Sequence, residues 1–223
     1  MKTLQLAVCL LLSLAAREVI AVRYVSPSGS QQSPYTTWAT AARNVQTAVS
    51  AADASETVLV TNGTYAVTNL VLMKPVTLRS VNGAGVTILD GGRPLRTNRC
   101  IVVASGQVTV DGFTIRRGQT AGIDGEGAGL LARGTVTLRN CIFEENHAVE
   151  DGGGAYVWGP ATVEKCMFLK NRSQGSGGGL SVATGTVVRW CTMVNNHSDS
   201  SGGGVNAWPY SKLYDCVAIA NTG

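Results

Sequence analysis

The chain is poor in charge and in rings. Charged residues make up 14% of its 223 positions and aromatics 6%. So little charge on so aliphatic a chain excludes a disordered polyelectrolyte. The 27 glycines are not spaced every third residue, which excludes a collagen-like rod. Past the N-terminal region, no stretch holds 18 consecutive apolar residues, so no later segment reads as a membrane-spanning helix. No Gly-x-Gly-x-x-Gly opens a helix and no Lys follows the glycine runs, which speaks against a phosphate-cradling loop. No Cys-x-x-Cys is present, which speaks against a structural zinc site. There is no basic cluster or nucleic-acid motif, so no nucleic-acid partner is expected.

What is present begins with MKTLQLAVCLLLSLAAREVIAV. A lone Lys2 precedes an apolar run from Leu4 to Ala16, and small residues follow. This is the layout of a secretory signal peptide spanning 1–21, with cleavage expected after Ala16 or Ala21. A core helix is the plain alternative. Removal of 1–21 leaves 16 basic and 13 acidic residues, a mild net charge of +3. The protein is therefore expected to be exported, as a secreted or outer-membrane-associated chain.

The dominant signal is a repeat. Cys141, Cys166, Cys191 and Cys216 step by one fixed interval. Asn146, Asn171, Asn196 and Asn221 take the same step, as do the glycine triplets starting at Gly152, Gly177 and Gly202. Gly127-Ala128-Gly129 carries the triplet column backwards. Leu138, Val163, Val188 and Leu213 form an apolar column, and Phe143, Phe168, Met193 and Ala218 form another. The pairs Ala155/Val157, Leu180/Val182 and Val205/Ala207 alternate with polar residues, the period of a strand rather than a helix. Each repeat therefore reads as one circuit of a parallel β-solenoid, with each circuit stacked about 4.8 Å above the last. Parallel crossovers of this kind favour a right-handed coil.

Three parts are expected: the signal peptide at 1–21, an N-terminal cap at 22–55, and a parallel β-helix at 56–223 whose regular coils start near 111. Residues 37–53 carry Trp38, Ala41, Val45, Val49 and Ala52 on one stripe and read as an amphipathic helix covering the first circuit. Ile115 and Gly118 take the Phe and Asn positions, with a three-residue insertion in GQTAGIDGEGAG. The last circuit breaks off partway through at Gly223. The C-terminal end therefore reads as uncapped or truncated, with Leu213, Cys216 and Ala218 facing a core that a partner or a further segment would cover.

The column residues carry readings of their own. Asn tolerates left-handed backbone and suits a sharp corner, and stacked Asn amides bond along the column. The Cys column reads as buried free thiols, because parallel Cβ vectors converge poorly and five cysteines remain after cleavage. Arg139, Glu164 and Arg189 form a charge column, and Glu145 over Lys170 another. Asn62, Asn171 and Asn196 sit in N-x-Ser/Thr sequons, the last two at corners.

VTLRNCIFEEN…GGGA, ATVEKCMFLKN…GGGL and TVVRWCTMVNN…GGGV resemble the repeats of polymorphic outer membrane proteins. More broadly they resemble the pectin-lyase-like right-handed β-helix superfamily. The stretch from VSPSG to TILDGG is similar to the entry cap of secreted bacterial members. Leu180 and Val205 replace the Ala of the outer-membrane motif, and Met193 replaces its Phe. The resemblance implies a right-handed parallel β-helix at the cell surface. It leaves activity open, since the superfamily mixes lyases, hydrolases and adhesins. The Asn-Thr-Asp, Asp-Asp, Gly-His-Gly and Arg-Ile-Lys motifs of polygalacturonase-like members are absent.

Two clusters remain. Tyr156, Trp158 and Trp208 follow the glycines at outward positions. Trp158 and Trp208 lie two circuits apart, about 10 Å, and are suited to stack on sugar rings. Glu126 and Asp151 share a loop position on adjacent circuits, flanked by Asp124 and Glu150. Carboxylates so placed recruit calcium or form a glycosidase pair; otherwise they are a solvated acidic loop. No catalytic residue is assigned. The expected function is a non-catalytic glycan-binding or adhesin-like module whose partner is a polysaccharide or host glycan. A polysaccharide lyase or glycoside hydrolase and a passive stalk are the alternatives.

Overall fold

The computed structural model describes residues 21–223; positions 1–20 of the proposed signal peptide, Cys9 among them, lie outside the described residues. The repeat arithmetic translates directly into strand register. Leu138 pairs with Val163, Val163 with Val188, and Val188 with Leu213. Phe143, Phe168, Met193 and Ala218 follow one another in the same way. The chain is thus an all-β parallel solenoid. One circuit runs through Thr135–Arg139 on the first sheet, Ile142–Glu144 on the second, the two-residue strand His147–Ala148, and Ala155–Val157 on the third. Across circuits these make parallel sheets of eight, seven, three and six strands. The interior is filled by columns of apolar side chains stacked circuit on circuit. Phe143 lies flat on Phe168 with centroids 4.9 Å apart and planes 6° from parallel. Cys141, Cys166 and Cys191 are buried free thiols in single file.

The insertion falls where the spacing places it. Ile115 pairs with Phe143, and the Gly118 N–H donates to Asn146 Oδ1 at 2.9 Å.

The Asn column is a buried hydrogen-bonded ladder. Asn146 Nδ2 donates to Asn171 Oδ1 at 3.0 Å, Asn171 Nδ2 to Asn196 Oδ1 at 3.0 Å, and Asn196 Nδ2 to Asn221 Oδ1 at 2.9 Å. Each amide also donates across the corner, as Asn171 Nδ2 does to the Phe143 carbonyl at 2.9 Å. The left-handed residues, however, are the ones before the asparagines: Glu145, Lys170 and Asn195 at φ 53°, 50° and 54°. The reason is that the Asn side chain must point inward to reach its neighbours, so the chain reverses one residue earlier. A second left-handed column, Asn140, Lys165 and Trp190, precedes the cysteines.

The glycine triplets divide their labour. Gly152 takes φ 70°, which opens the turn. Gly153 lies so close to the Arg172 and Gly178 carbonyl oxygens of the circuit above that a Cβ would overlap both. The backbone then bonds upward from glycine to glycine, as Gly153 N–H does to the Gly177 carbonyl at 3.1 Å.

The N-terminal cap differs from the single helix expected over 37–53. The helix spans Val45–Ala51 only, capped by Asn44, whose side chain accepts from the Thr47 N–H at 3.3 Å. Ahead of it, Thr37 and Thr40 bond each other's hydroxyls and backbone. Ala42 then pairs with the edge strand Val22–Val25, accepting from the Ser26 N–H at 2.9 Å and donating to the Tyr24 carbonyl at 2.9 Å. The open strand edge thus takes up backbone from residues that the apolar stripe assigned to a helix. Ala41, Val45, Val49 and Ala52 are buried as expected, while Trp38 remains 41% exposed and packs edge-on against Tyr24. At the other end, Leu213, Val217 and Ile219 are exposed.

On the outside, Arg139 pairs with Asp111 at 3.1 Å and Arg189 with Glu164 at 2.6 Å. Glu145 and Lys170 share a column, both in the left-handed region, and make no ion pair among the described residues. Asn171 and Asn196 are buried, so of the three sequons only Asn62 is exposed.

Candidate functional site

The third sheet alternates core-facing with outward residues. Val157 pairs with Val182 and Val182 with Ala207, so the residues that follow them, Trp158, Ala183 and Trp208, form one vertical column beyond the strand ends. Arg133 sits below Trp158 in that column, since Ala132 pairs with Val157. The indoles are 56% and 44% exposed. Their centroids are 6.1 Å apart at 63°, nearer than the 10 Å expected from circuit spacing. The intervening position is Ala183, whose single methyl leaves room for the rings to close edge to face over it.

Tyr156 stands at an outward position of its strand, as expected, but is only 7% exposed. The turn before it folds back over the strand: a Cβ on Gly152 would lie 2.8 Å from the Tyr156 Cβ, and one on Gly177 equally close to that of Ser181. The Tyr156 ring sits 6.1 Å from that of Trp158. Burial, then the Asp151, Glu126 and Glu150 carboxylates, push its phenol up to about 12. It therefore keeps its proton and is a donor at every physiological pH.

Tyr156 and Trp158 form one wall of an open depression of about 430 Å³ completed by Glu126, Leu131 and Arg133. Behind Glu126, Arg99 donates from Nε to the Glu126 carbonyl at 2.7 Å. Its Nη2 stops 3.8 Å from Glu126 Oε2, and both of those buried atoms lack a hydrogen bond. Burial pulls the Arg99 guanidinium down, against the opposing pull of Glu126. Ser181 Oγ is a third buried atom without a partner on this face. The depression thus offers an indole face, a phenol donor, a guanidinium and a carboxylate.

The four acidic candidates do not converge. Asp124 pairs with Arg133 at 3.4 Å, Glu126 lies against Arg99, and Asp151 Oδ1 accepts from the Ser176 N–H at 2.6 Å. Among the described residues no three of His, Cys, Asp or Glu come together as a metal-holding group. Of the calcium candidates Asp124, Glu126, Glu150 and Asp151, three thus face separate neighbours. Glu126 and Asp151 do occupy equivalent positions, since the Gly127 N–H donates to the Asp151 carbonyl at 2.9 Å. Their side chains turn to different neighbours, Asp151 to the Ser176 N–H and Glu126 toward Arg99.

Sequence reasoning missed Arg133, although one repeat step back from Trp158 lands on it. Arg99 escaped because it lies in the irregular circuit before the insertion. No family model matches the chain, and no curated protein matches it. The site is accordingly read from its own chemistry.

Proposed function

We propose that this chain is an exported, non-catalytic β-solenoid of the pectin-lyase-like kind, which binds glycans on the face of Trp158 and Trp208. The observation that carries the reading is the pair of exposed indoles 6.1 Å apart, one of which, Trp158, lines a depression together with Tyr156, Glu126 and Arg133. Sugar rings have apolar C–H faces and polar edges. An indole covers the first; a phenol, a carboxylate and a guanidinium bond the second. An aromatic side chain buries roughly 150–250 Å² in all. If a ligand covers about half of that on one indole, the gain at about 25 cal/mol per Å² is about 2.5 kcal/mol. That is a factor of about 70 in affinity.

The test is a glycan array followed by calorimetric titration of each hit. Wild-type protein should bind at least one neutral glycan, Trp158→Ala should weaken it by tenfold or more, and Glu126→Gln should weaken it further in the double variant. Titration of hits that are indifferent to both substitutions would overturn the reading. An array with no hits would leave a passive stalk as the better account.

A further inference from the structure

A second cleft lies at a different corner of the coil, where the second sheet leads toward the third. The loop after strand Thr87–Asp90 bonds to the neighbouring circuit and borders an open cleft of about 380 Å³. Its lining includes three arginines, Arg93, Arg96 and Arg117, and one carboxylate, Asp90. The lining therefore carries a surplus of two positive charges.

Asp90 is buried, and its charge is spent. It accepts from Arg117 Nη2 at 2.5 Å, Arg117 Nε at 3.0 Å, Arg116 Nε at 3.0 Å and the Gly92 N–H at 2.9 Å. Burial alone would raise its carboxyl; the bonds from Arg117, Gly92 and Arg116 outweigh that and hold it below the usual range. Arg93 and Arg96 make no ion pair among the described residues. The aliphatic stem of Arg96 lies across Gly92, so its guanidinium stays at the cleft. The backbone is fixed: the Gly91 N–H donates to the Arg116 carbonyl at 2.9 Å and the Arg93 N–H to the Arg117 carbonyl at 2.9 Å. Leu95, at the cleft wall, is 91% exposed.

We infer that this cleft is an anion site for a phosphate monoester carried on a larger body such as a sugar. Two surplus charges match a dianion, and a phosphate monoester carries close to two at neutral pH. Guanidinium forks bond phosphate oxygens in pairs. Asp90, already saturated, positions Arg116 and Arg117 and leaves Arg93 and Arg96 for the ligand. The open volume beside Leu95 accommodates the body of the ester, where bare inorganic phosphate would leave it empty. This site is independent of the indole face, and neither requires the other.

The test is calorimetric titration of the full chain with a hexose 6-phosphate, the parent hexose, the hexose 6-sulfate and inorganic phosphate. The phosphate ester should bind, the parent hexose should not, and the sulfate and inorganic phosphate should bind at least fivefold more weakly. Arg93→Gln with Arg96→Gln should weaken the ester tenfold or more. Leu95→Glu, which removes no buried packing, should do the same by placing a carboxylate at the mouth. Trp158→Ala should change nothing here. Sedimentation with phosphatidylcholine vesicles doped with phosphatidic acid distinguishes the source of the ester. Pelleting assigns it to a lipid, and ester binding without pelleting assigns it to a glycan. Absence of ester binding, ester binding unchanged in the double variant and in Leu95→Glu, or inorganic phosphate binding as tightly as the ester, would each overturn the inference. None of those results bears on the indole face.

Discussion

Replacing Asn171 by Ala cuts the ladder in the middle. The side chain makes four hydrogen bonds. Its Oδ1 accepts from the Asn146 N–H at 3.1 Å and Asn146 Nδ2 at 3.0 Å, and its Nδ2 donates to the Phe143 carbonyl at 2.9 Å and Asn196 Oδ1 at 3.0 Å. Asn146 Nδ2 keeps the Ile115 carbonyl, and Asn196 Oδ1 keeps the Asn171 N–H. The Asn146 N–H and the Phe143 carbonyl lose a partner, and water has no path to them because Asn146 and Phe143 are buried. The Phe143 carbonyl stays in its strand ladder, so only the Asn146 N–H is orphaned; at about 1–3 kcal/mol for that group and about 0.5–1.5 kcal/mol for the other lost bond, the loss is about 1.5–4.5 kcal/mol. Out of a total of about 5–15 kcal/mol, that is a large fraction. Asn171→Asp keeps the shape but turns a donor into an acceptor facing the Phe143 carbonyl, so it should cost at least as much. The control is Asn82→Ala, which removes one exposed bond to Asn62 Oδ1 and should stay within about 0.5 kcal/mol. Urea unfolding followed by far-UV circular dichroism reads the difference from the midpoint and slope. A loss below about 1 kcal/mol for Asn171→Ala, or one equal to the Asn82 control, would refute the claim that the ladder is dry and structural.

The glycine triplets and the corner residues give opposite expectations. Gly178→Ala places a methyl against the His197 and Gly203 carbonyls of the next circuit and should cost about 3 kcal/mol or more. Gly185→Ala, at φ 83° in open space, should cost only about 1–2 kcal/mol, and thermal melts of the two variants separate them. Lys170→Gly relieves a left-handed residue at φ 50° and should leave the midpoint unchanged or raised, whereas Lys170→Val should lower it. His147 has its titration lowered by burial, then by Arg93 and Arg172, with Asp199 opposing. Its folded value lies below its unfolded one, so the unfolded state binds more protons on acidification. The contribution of this histidine is fully present above about pH 6.5 and is lost as pH falls through the folded value. Unfolding midpoints at pH 7.5 and 5.5 should therefore differ less in His147→Gln than in wild type; an equal difference would show that His147 does not contribute.

The vertical register was legible because one interval recurs in several independent columns, and only a stacked coil uses one interval for core, corner and turn alike. The Asn ladder and the Phe143–Phe168 stack follow from that arithmetic. Which residue takes the left-handed turn does not, because a periodic sequence places Glu145 and Asn146 in equally good columns, and only the inward aim of the amide decides. The cap was misread since a 3.6-residue stripe cannot show that Ala42 has a strand edge waiting for it. The indole face was legible as a column, but the burial of Tyr156 depends on a glycine turn folding back over its own strand. The arginine cleft was invisible for a further reason: Arg93 and Arg96 lie ahead of the regular coils, where circuit lengths vary, so no fixed interval points to them.

The most direct test is a methyl and indole nuclear Overhauser spectrum of protein labelled at Leu, Val and Trp. The account predicts cross-peaks from Leu138 to Val163 and from Val163 to Val188, none from Leu138 to Val188, and contact between the Trp158 and Trp208 rings across Ala183. Missing neighbour peaks, or a direct peak from Leu138 to Val188, would contradict it.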